Sequence, residues 1–256
     1  MVKTIWDWTK QLGVALILAL MLKTSIVEAY KIPSGSMEKT LLVGDFLLAN
    51  KFIYGMRLPI PFVDIKLPAI KEPKPGDIII FKYPGNPEIG RKDKGPNYIK
   101  RCIAIEGQTV KIENKQVFVD GKPVPLPEFG QFRDKNILPY YNNYRGRRDN
   151  MTERIVPEGM LFMMGDNRDN SSDSRVWGFL DRDDVLGKAM VIHWSWHPFL
   201  ERGDPHYNET TSHPTDVAPP PDISKTNPLS IVELVAYNVY HFPERVRWSR
   251  IGDVIE

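Results

Sequence analysis

The sequence predicts a mostly β body behind a single N-terminal apolar segment, on three observations. Its apolar residues come in short runs rich in Ile, Val and Phe, bounded by Gly, Asp, Asn and Pro, which is the punctuation of strands. Its 22 prolines suit a loop-rich chain in which long helices are scarce. Only one long apolar run is present, Leu12–Leu22, and it lies near the start. With 42% hydrophobic and 26% charged residues the composition is that of a globular protein with a real core. A length of 256 residues allows one large domain or two smaller ones.

Extended from Gln11 to Val27, the apolar run carries only Lys23 as a charge, close to the lower limit of about 17 residues for a membrane span. Trp6 and Trp8 suit an interface, and Lys3 and Lys10 place the N-terminus on the cytoplasmic side, although Lys23 and Lys31 weaken that bias. A cleaved secretory signal ending at Val27-Glu28-Ala29 fits the same residues. Either way the body of the protein is exported.

Next comes Ile32–Leu41, which contains Ser34-Gly35-Ser36. Pro33 keeps it out of a helix, and Gly35 allows a tight bend that presents the Ser36 hydroxyl. By itself this is a polar turn or a nucleophile that still needs a base. Val43–Phe52 reads as a strand entered through Gly44-Asp45. Met56–Phe62 contains Pro59 and Pro61 and is no central strand; its Leu58, Ile60 and Phe62 either touch lipid or fold back on the core. Ile78–Tyr83 and Tyr98–Ile105 follow as strands. Val110–Ile112 and Val117–Val119 are joined by a turn at Asn114-Lys115, and Asp120-Gly121 sets the next reversal. From Val124 to Arg154 little periodicity is left, so residues of about 113–155 read as an inserted lobe of loops.

Met160–Met164 restarts a buried strand that runs into the dense polar loop Gly165–Arg175, and Val185–Trp196 is another strand. Residues 199–256 separate as a proline-rich arm, a helix and a C-terminal strand. The helix starts at Asn227-Pro228, and Leu229–Phe242 is apolar nearly all round, hence buried or at a membrane. The units expected are therefore 1–29, 30–198 and 199–256.

Lys100 is the residue with chemical content in the β body. Alternation puts Lys100 and Arg101 on opposite faces of their strand, so one of them turns inward. A buried lysine is either paired with a carboxylate or deprotonated for a purpose. As a base for Ser36 it must be neutral, which requires a dry site and no carboxylate touching the amine.

Other chemistries are disfavoured. A net charge of +2 without a basic stripe gives no nucleic-acid surface. Cys102 stands alone, so neither an internal disulfide nor a cysteine zinc site can form. His193 and His197 have helical ligand spacing but lie in a strand segment, and no metal is expected. Ser36 is outside any Gly-x-Ser-x-Gly elbow, and no phosphate-cradling loop is present.

Four motifs in one order point further: Ser34-Gly35-Ser36-Met37 followed by Thr40-Leu41, the Gly44-Asp45 strand, Tyr98-Ile99-Lys100-Arg101, and Gly165-Asp166-Asn167-Arg168 running to Ser171, Asp173, Ser174, Arg175, Trp177 and Gly178. This set resembles the type I signal peptidases of bacteria, over residues of roughly 12 to 195, and the ending Arg247–Gly252 is similar as well. The resemblance implies coiled antiparallel sheets of the signal-peptidase type with one N-terminal transmembrane helix, retained as an anchor. It implies Ser36 as nucleophile, Lys100 as general base, Ser171 orienting the lysine, and the Ser34 hydroxyl with the Ser36 N–H as oxyanion hole. Asp173 and Arg175 would brace the site, and Ile32, Met37, Leu41, Tyr98 and Ile99 would line pockets for small substrate side chains.

No cofactor is implied. The partners implied are signal peptides of exported preproteins and a lipid bilayer, with the enzyme in the bacterial cytoplasmic membrane, N-terminus inside and catalytic domain outside. The chain departs from the family pattern at Lys39, where proline is usual, and over Glu201–Phe242, which is longer than usual. Ala29 is a candidate self-cleavage site. The alternatives are a Ser–Lys processing peptidase dedicated to one substrate, such as a pilin, and a non-catalytic membrane-tethered β scaffold.

Overall fold

The computed structural model describes residues 6–15, 27–55, 68–86, 94–139, 147–198 and 229–256. The apolar run beyond residue 15, the loop at 56–62 and the arm from 199 to 228 lie outside the described residues. Residues 6–15 are helical, with Trp6, Trp8, Leu12 and Val14 exposed. Among the described residues no helix is long and apolar enough to cross a membrane.

The body is mostly β and antiparallel, in two sheets. The strands in chain order are β1 (Val27–Lys31), β2 (Asp45–Asn50), β3 (Ile78–Lys82), β4 (Asn97–Ile105), β5 (Thr109–Glu113), β6 (Gln116–Val119), β7 (Lys122–Val124), β8 (Met151–Ile155), β9 (Met160–Met164), β10 (Leu180–Asp181) and β11 (Val185–Ser195). The larger sheet has the order β1-β2-β11-β3-β4-β9-β10 and the smaller β7-β6-β5-β8. Register shifts in β11 at Ala189/Val191 and Ile192/Trp194, and in β4 at Cys102/Ala104, mark bulges of the kind that bend and coil a sheet.

Side-chain alternation sorts the core. Ile78 and Ile80 of β3 join Leu47, Ala49, Ile99, Ala189 and Ile192 in one cluster, whereas Ile79 and Phe81 join Cys102, Leu161, Met163 and Trp177 in another. A third cluster, built from Ile103, Val110, Ile112, Val117, Met151 and Phe162, joins the two sheets. The hairpins of the small sheet turn through left-handed pairs, Asn114 (φ +50°) with Lys115 (φ +71°) and Asp120 (φ +50°) with Gly121 (φ +73°), the geometry that matches strand twist.

Two expectations need correction, and a third, left as a choice between burial and a membrane surface, loses its first alternative. Met151–Ile155, read as loop, is a strand paired with β5; only Met151 of its residues is buried, and an exposed edge strand carries little hydrophobic pattern in the sequence. The segment Leu229–Tyr240 is a helix, yet it is not buried: Ile231, Val232, Val235, Val239 and Tyr240 are all exposed. The expected C-terminal strand is broken. Val246 and Val254 make single bridges to Trp196 and Val191, and between them Trp248–Arg250 forms one 3-10 turn. β11 can accept that segment only beyond Lys188, where its pairing with β3 has ended.

Candidate active site

Ser36 lies in the connection from β1 to β2. Its base is closed by Ile32 N–H to the Asp45 carbonyl at 2.8 Å and Gly44 N–H to the Ile32 carbonyl at 3.0 Å. Gly44 has φ +89°, and a Cβ there would stand 2.0 Å from the Trp196 carbonyl oxygen, so only glycine fits. Inside the connection Gly35–Met37 make one 3-10 turn. Met37 and Leu41 have no exposed surface and sink into the cluster around β2, β3 and β11, so the turn is nailed down on both sides of its polar residues.

Lys100 comes from β4. Its neighbour Arg101 pairs with Met164, the last residue of β9, so Lys100 stands level with the point where β9 gives way to the polar loop. The Ser36 turn fills that place. Lys100 is 3% exposed, and its Nζ lies 2.6 Å from Ser36 Oγ, 3.0 Å from the Ile99 carbonyl and 5.3 Å from the Tyr98 ring centroid. Among the described residues no carboxylate forms an ion pair with it. Burial pushes the amine down to about 8, while the more distant Asp173 and Asp166 carboxylates pull it back up and the Arg175 guanidinium presses it down again. At that value about one amine in ten is neutral at pH 7, against about one in 3,000 for an ordinary lysine. With the amine neutral, the Ser36 hydroxyl donates to Nζ, which is the arrangement of a nucleophile and its base.

Gly165 opens the polar loop against the back of Ser36. A Cβ on it would stand 2.2 Å from Ser171 Oγ and 2.5 Å from the Ser36 carbonyl oxygen. Asn167 then holds the Ser36 turn from two sides. Its N–H donates to the Ser36 carbonyl at 3.1 Å, and its Nδ2 to the Gly35 carbonyl at 2.9 Å and to Glu38 at 3.2 Å. Asp173 caps the short helix Ser174–Trp177, accepts from Gly165 N–H at 3.0 Å and pairs with Arg175 at 2.8 Å. Burial, the largest single influence, would raise the Asp173 carboxyl; the Arg175 charge together with the hydrogen bonds from Arg175 and Gly165 N–H outweighs it and holds the group below the usual carboxylate range. Arg175 also donates to the Arg148 and Arg168 carbonyls, so the loop is closed on itself.

Ser36, Lys100, Asp173 and Arg175 are thus brought together with the remaining residues singled out in the sequence. Ser34 Oγ stands 3.5 Å from Ser36 Oγ, a neighbour at the outer limit of a hydrogen bond. Ser171 Oγ is enclosed near Asp173 and makes no hydrogen bond of good geometry. Ile32 and Ile99 are buried with Met37 and Leu41, and Tyr98 is half-exposed. Sequence reasoning assigned no role to Glu38, Thr40, Arg101, Asp166 or Asn167. Arg101 forms a bidentate pair with Asp166 at 2.9 and 2.8 Å, and Thr40 donates to the same carboxylate at 2.6 Å. The signal available was the Gly165-Asp166-Asn167 run itself, whose partners are far away along the chain.

The family described as signal peptidase, peptidase S26, matches residues 5–194. Signal peptidase I of Pseudomonas fluorescens is 35% identical over 217 residues, covering 74% of this chain and 72% of the relative. Signal peptidase I of Pseudomonas aeruginosa is 35% identical over 215 residues with the same coverage of 74% and 72%. That of Aquifex aeolicus is 34% identical over 232 residues, covering 72% of this chain and 82% of the relative.

Proposed function

The chain belongs to the signal peptidases of family S26, and from that premise we propose that Ser36 is its nucleophile and Lys100 its general base. It is a serine endopeptidase that removes signal peptides from preproteins. The observation that carries the dyad is the 2.6 Å contact between Lys100 Nζ and Ser36 Oγ, with the amine buried and, among the described residues, without a carboxylate ion-pair partner.

Ser36 Oγ attacks the scissile carbonyl as its proton passes to Lys100 Nζ. The tetrahedral oxyanion is held by the Ser34 hydroxyl and the Ser36 N–H. Collapse expels the new amine, which takes the proton from the lysine, and leaves an acyl-enzyme on Ser36. Water then gives a proton to Lys100 and attacks the ester, releasing the signal peptide carboxylate and restoring the serine. Ser171 contributes by keeping water from the amine, and the Asp173–Arg175 pair by fixing the loop that carries it.

Ile32 and Ile99, backed from within by Met37 and Leu41, lie beside Tyr98 as an apolar floor that suits small substrate side chains near the scissile bond. The Leu12–Leu22 run anchors the enzyme in the bacterial cytoplasmic membrane with the catalytic body outside. That layout sets Ser36 close to the lipid surface, where precursors present their cleavage sites.

Cleavage of a purified precursor in detergent by wild type, Ser36→Ala and Lys100→Met tests the reading. Both variants are expected to remain folded and to lose activity. Cleavage at near wild-type rate by Lys100→Met would place the base elsewhere. Processing of several unrelated precursors excludes the single-substrate alternative, and no processing of any precursor favours the scaffold.

A further inference from the structure

We propose that Arg250 is a positioning residue for the nucleophile, acting from the far end of the chain on the turn that follows Ser36. This rests on the reading of Ser36 as nucleophile. The Arg250 side chain bridges two groups in that connection. Its Nη2 donates to the Thr40 carbonyl at 2.9 Å and to Asp45 Oδ2 at 2.6 Å, and its Nε reaches both Asp45 oxygens at 3.2 Å. Asp45 is fully buried and also accepts from Leu42 N–H at 2.8 Å and Ser195 Oγ at 2.6 Å. One guanidinium therefore ties the turn to the start of β2 and to the end of β11.

Thr40 is where that tie reaches the catalytic centre. Its carbonyl is held by Arg250, and its hydroxyl by Asp166, whose other partner is Arg101, the residue beside Lys100. Leu41 N–H in turn donates to the Met37 carbonyl at 2.7 Å, one residue past Ser36. The segment so held needs holding: Lys39, between them, sits at φ +73°, a left-handed conformation that a lysine adopts only when its surroundings impose it. Arg250 touches neither Ser36 nor Lys100. It acts by keeping the Ser36 hydroxyl at its short distance from the amine.

A lysine in place of Arg250 keeps a cation against Asp45 but has no planar fork to span Asp45 and Thr40 together. Arg247 provides the control. It lies on the same segment, donates to the Val43 and Trp196 carbonyls, stands 3.9 Å from Asp45 Oδ1 and makes no hydrogen bond to Thr40.

The experiment compares full-length wild type, Arg250→Lys, Arg250→Gln and Arg247→Gln in detergent for melting temperature, kcat and KM on one precursor, and the pH dependence of kcat. Misplacing a reacting group by about 1 Å costs about 10²-fold, so Arg250→Lys is expected to lose about tenfold or more in kcat. Its KM and melting temperature should stay near wild type. Its acid limb should move to higher pH as water reaches the loosened amine. Arg247→Gln is expected to lower the melting temperature while kcat and the pH profile stay put. If Arg250→Lys has the wild-type kcat and profile, or if activity simply follows melting temperature across all the variants, the positioning role is wrong. Ser36→Ala and Lys100→Met run alongside keep the two readings apart. Activity in those two overturns the dyad; inactivity there with full activity in both Arg250 variants overturns only the role of Arg250.

Discussion

Replacing Lys100 by methionine should abolish cleavage and at the same time stabilise the fold at neutral pH. The amine is 3% exposed, and burial lowers its pKa to about 8 from the ordinary value of 10.5. The unfolded chain therefore binds the lysine proton more tightly than the native one, and below pH 8 the native state carries a penalty of about 3 kcal/mol. The sign follows from proton counting. Between pH 8 and 10.5 the unfolded state holds more protons, so raising the pH through that window stabilises the native protein. At pH 9.5 the penalty has shrunk to about 1.4 kcal/mol.

Methionine retains much of the bulk and never carries the charge. It forfeits the hydrogen bonds to Ser36 and the Ile99 carbonyl, each of about 1 kcal/mol. The net expectation at pH 7 is a variant about 1 kcal/mol more stable than wild type, turning about 1 kcal/mol less stable at pH 9.5. Urea unfolding of both proteins in micelles at the two pH values measures the difference directly. A gap that is independent of pH, or one that moves the other way, would refute the argument that burial lowers the pKa of the native lysine.

The same lysine sets the activity profile: cleavage should rise with an apparent pKa of about 8, as a pH–rate series on wild type would show. Asp173→Asn removes a carboxylate that raises the Lys100 pKa, so its acid limb should move to lower pH. It also strands the buried Arg175 charge, at a cost of about 3–5 kcal/mol in chemical unfolding. Gly165→Ala brings a methyl to within 2.5 Å of the Ser36 carbonyl oxygen, which must displace the nucleophile. A kcat loss of about 10²-fold, with the protein still folded by circular dichroism, is expected. Lys39→Gly relieves a left-handed residue and should add about 1 kcal/mol to stability, whereas Lys39→Pro cannot adopt φ +73° and should lower the melting temperature.

Much of this was legible in the chain. Short apolar runs and their turn residues marked β2, β3, β4, β9 and β11; β3, β4 and β9 are buried nearly throughout and leave an unbroken apolar signal, and β2 and β11 are rich enough in apolar residues to show without knowledge of partners. Met151–Ile155 left none, since it is an edge strand with four of its five residues at least partly exposed. Ser36 and Lys100 stood out by residue type and by the motifs around them. Their neutral pairing did not, because a lysine in a strand reads equally well as half of an ion pair.

That choice belongs to the tertiary structure. The Lys100 amine is held below the usual lysine range because the fold buries it while both nearby carboxylates are spent elsewhere, Asp166 on Arg101 and Thr40, Asp173 on Arg175. The sequence alone singled out Ser36 and Lys100 and most of the strands that hold them. Only the fold decided that Arg250, more than two hundred residues downstream, would share a hydrogen bond with Thr40, and that Asn167 would grip the Ser36 turn. Desolvation and long-range hydrogen bonds depend on what surrounds a group in space, and sequence order records only what precedes and follows it.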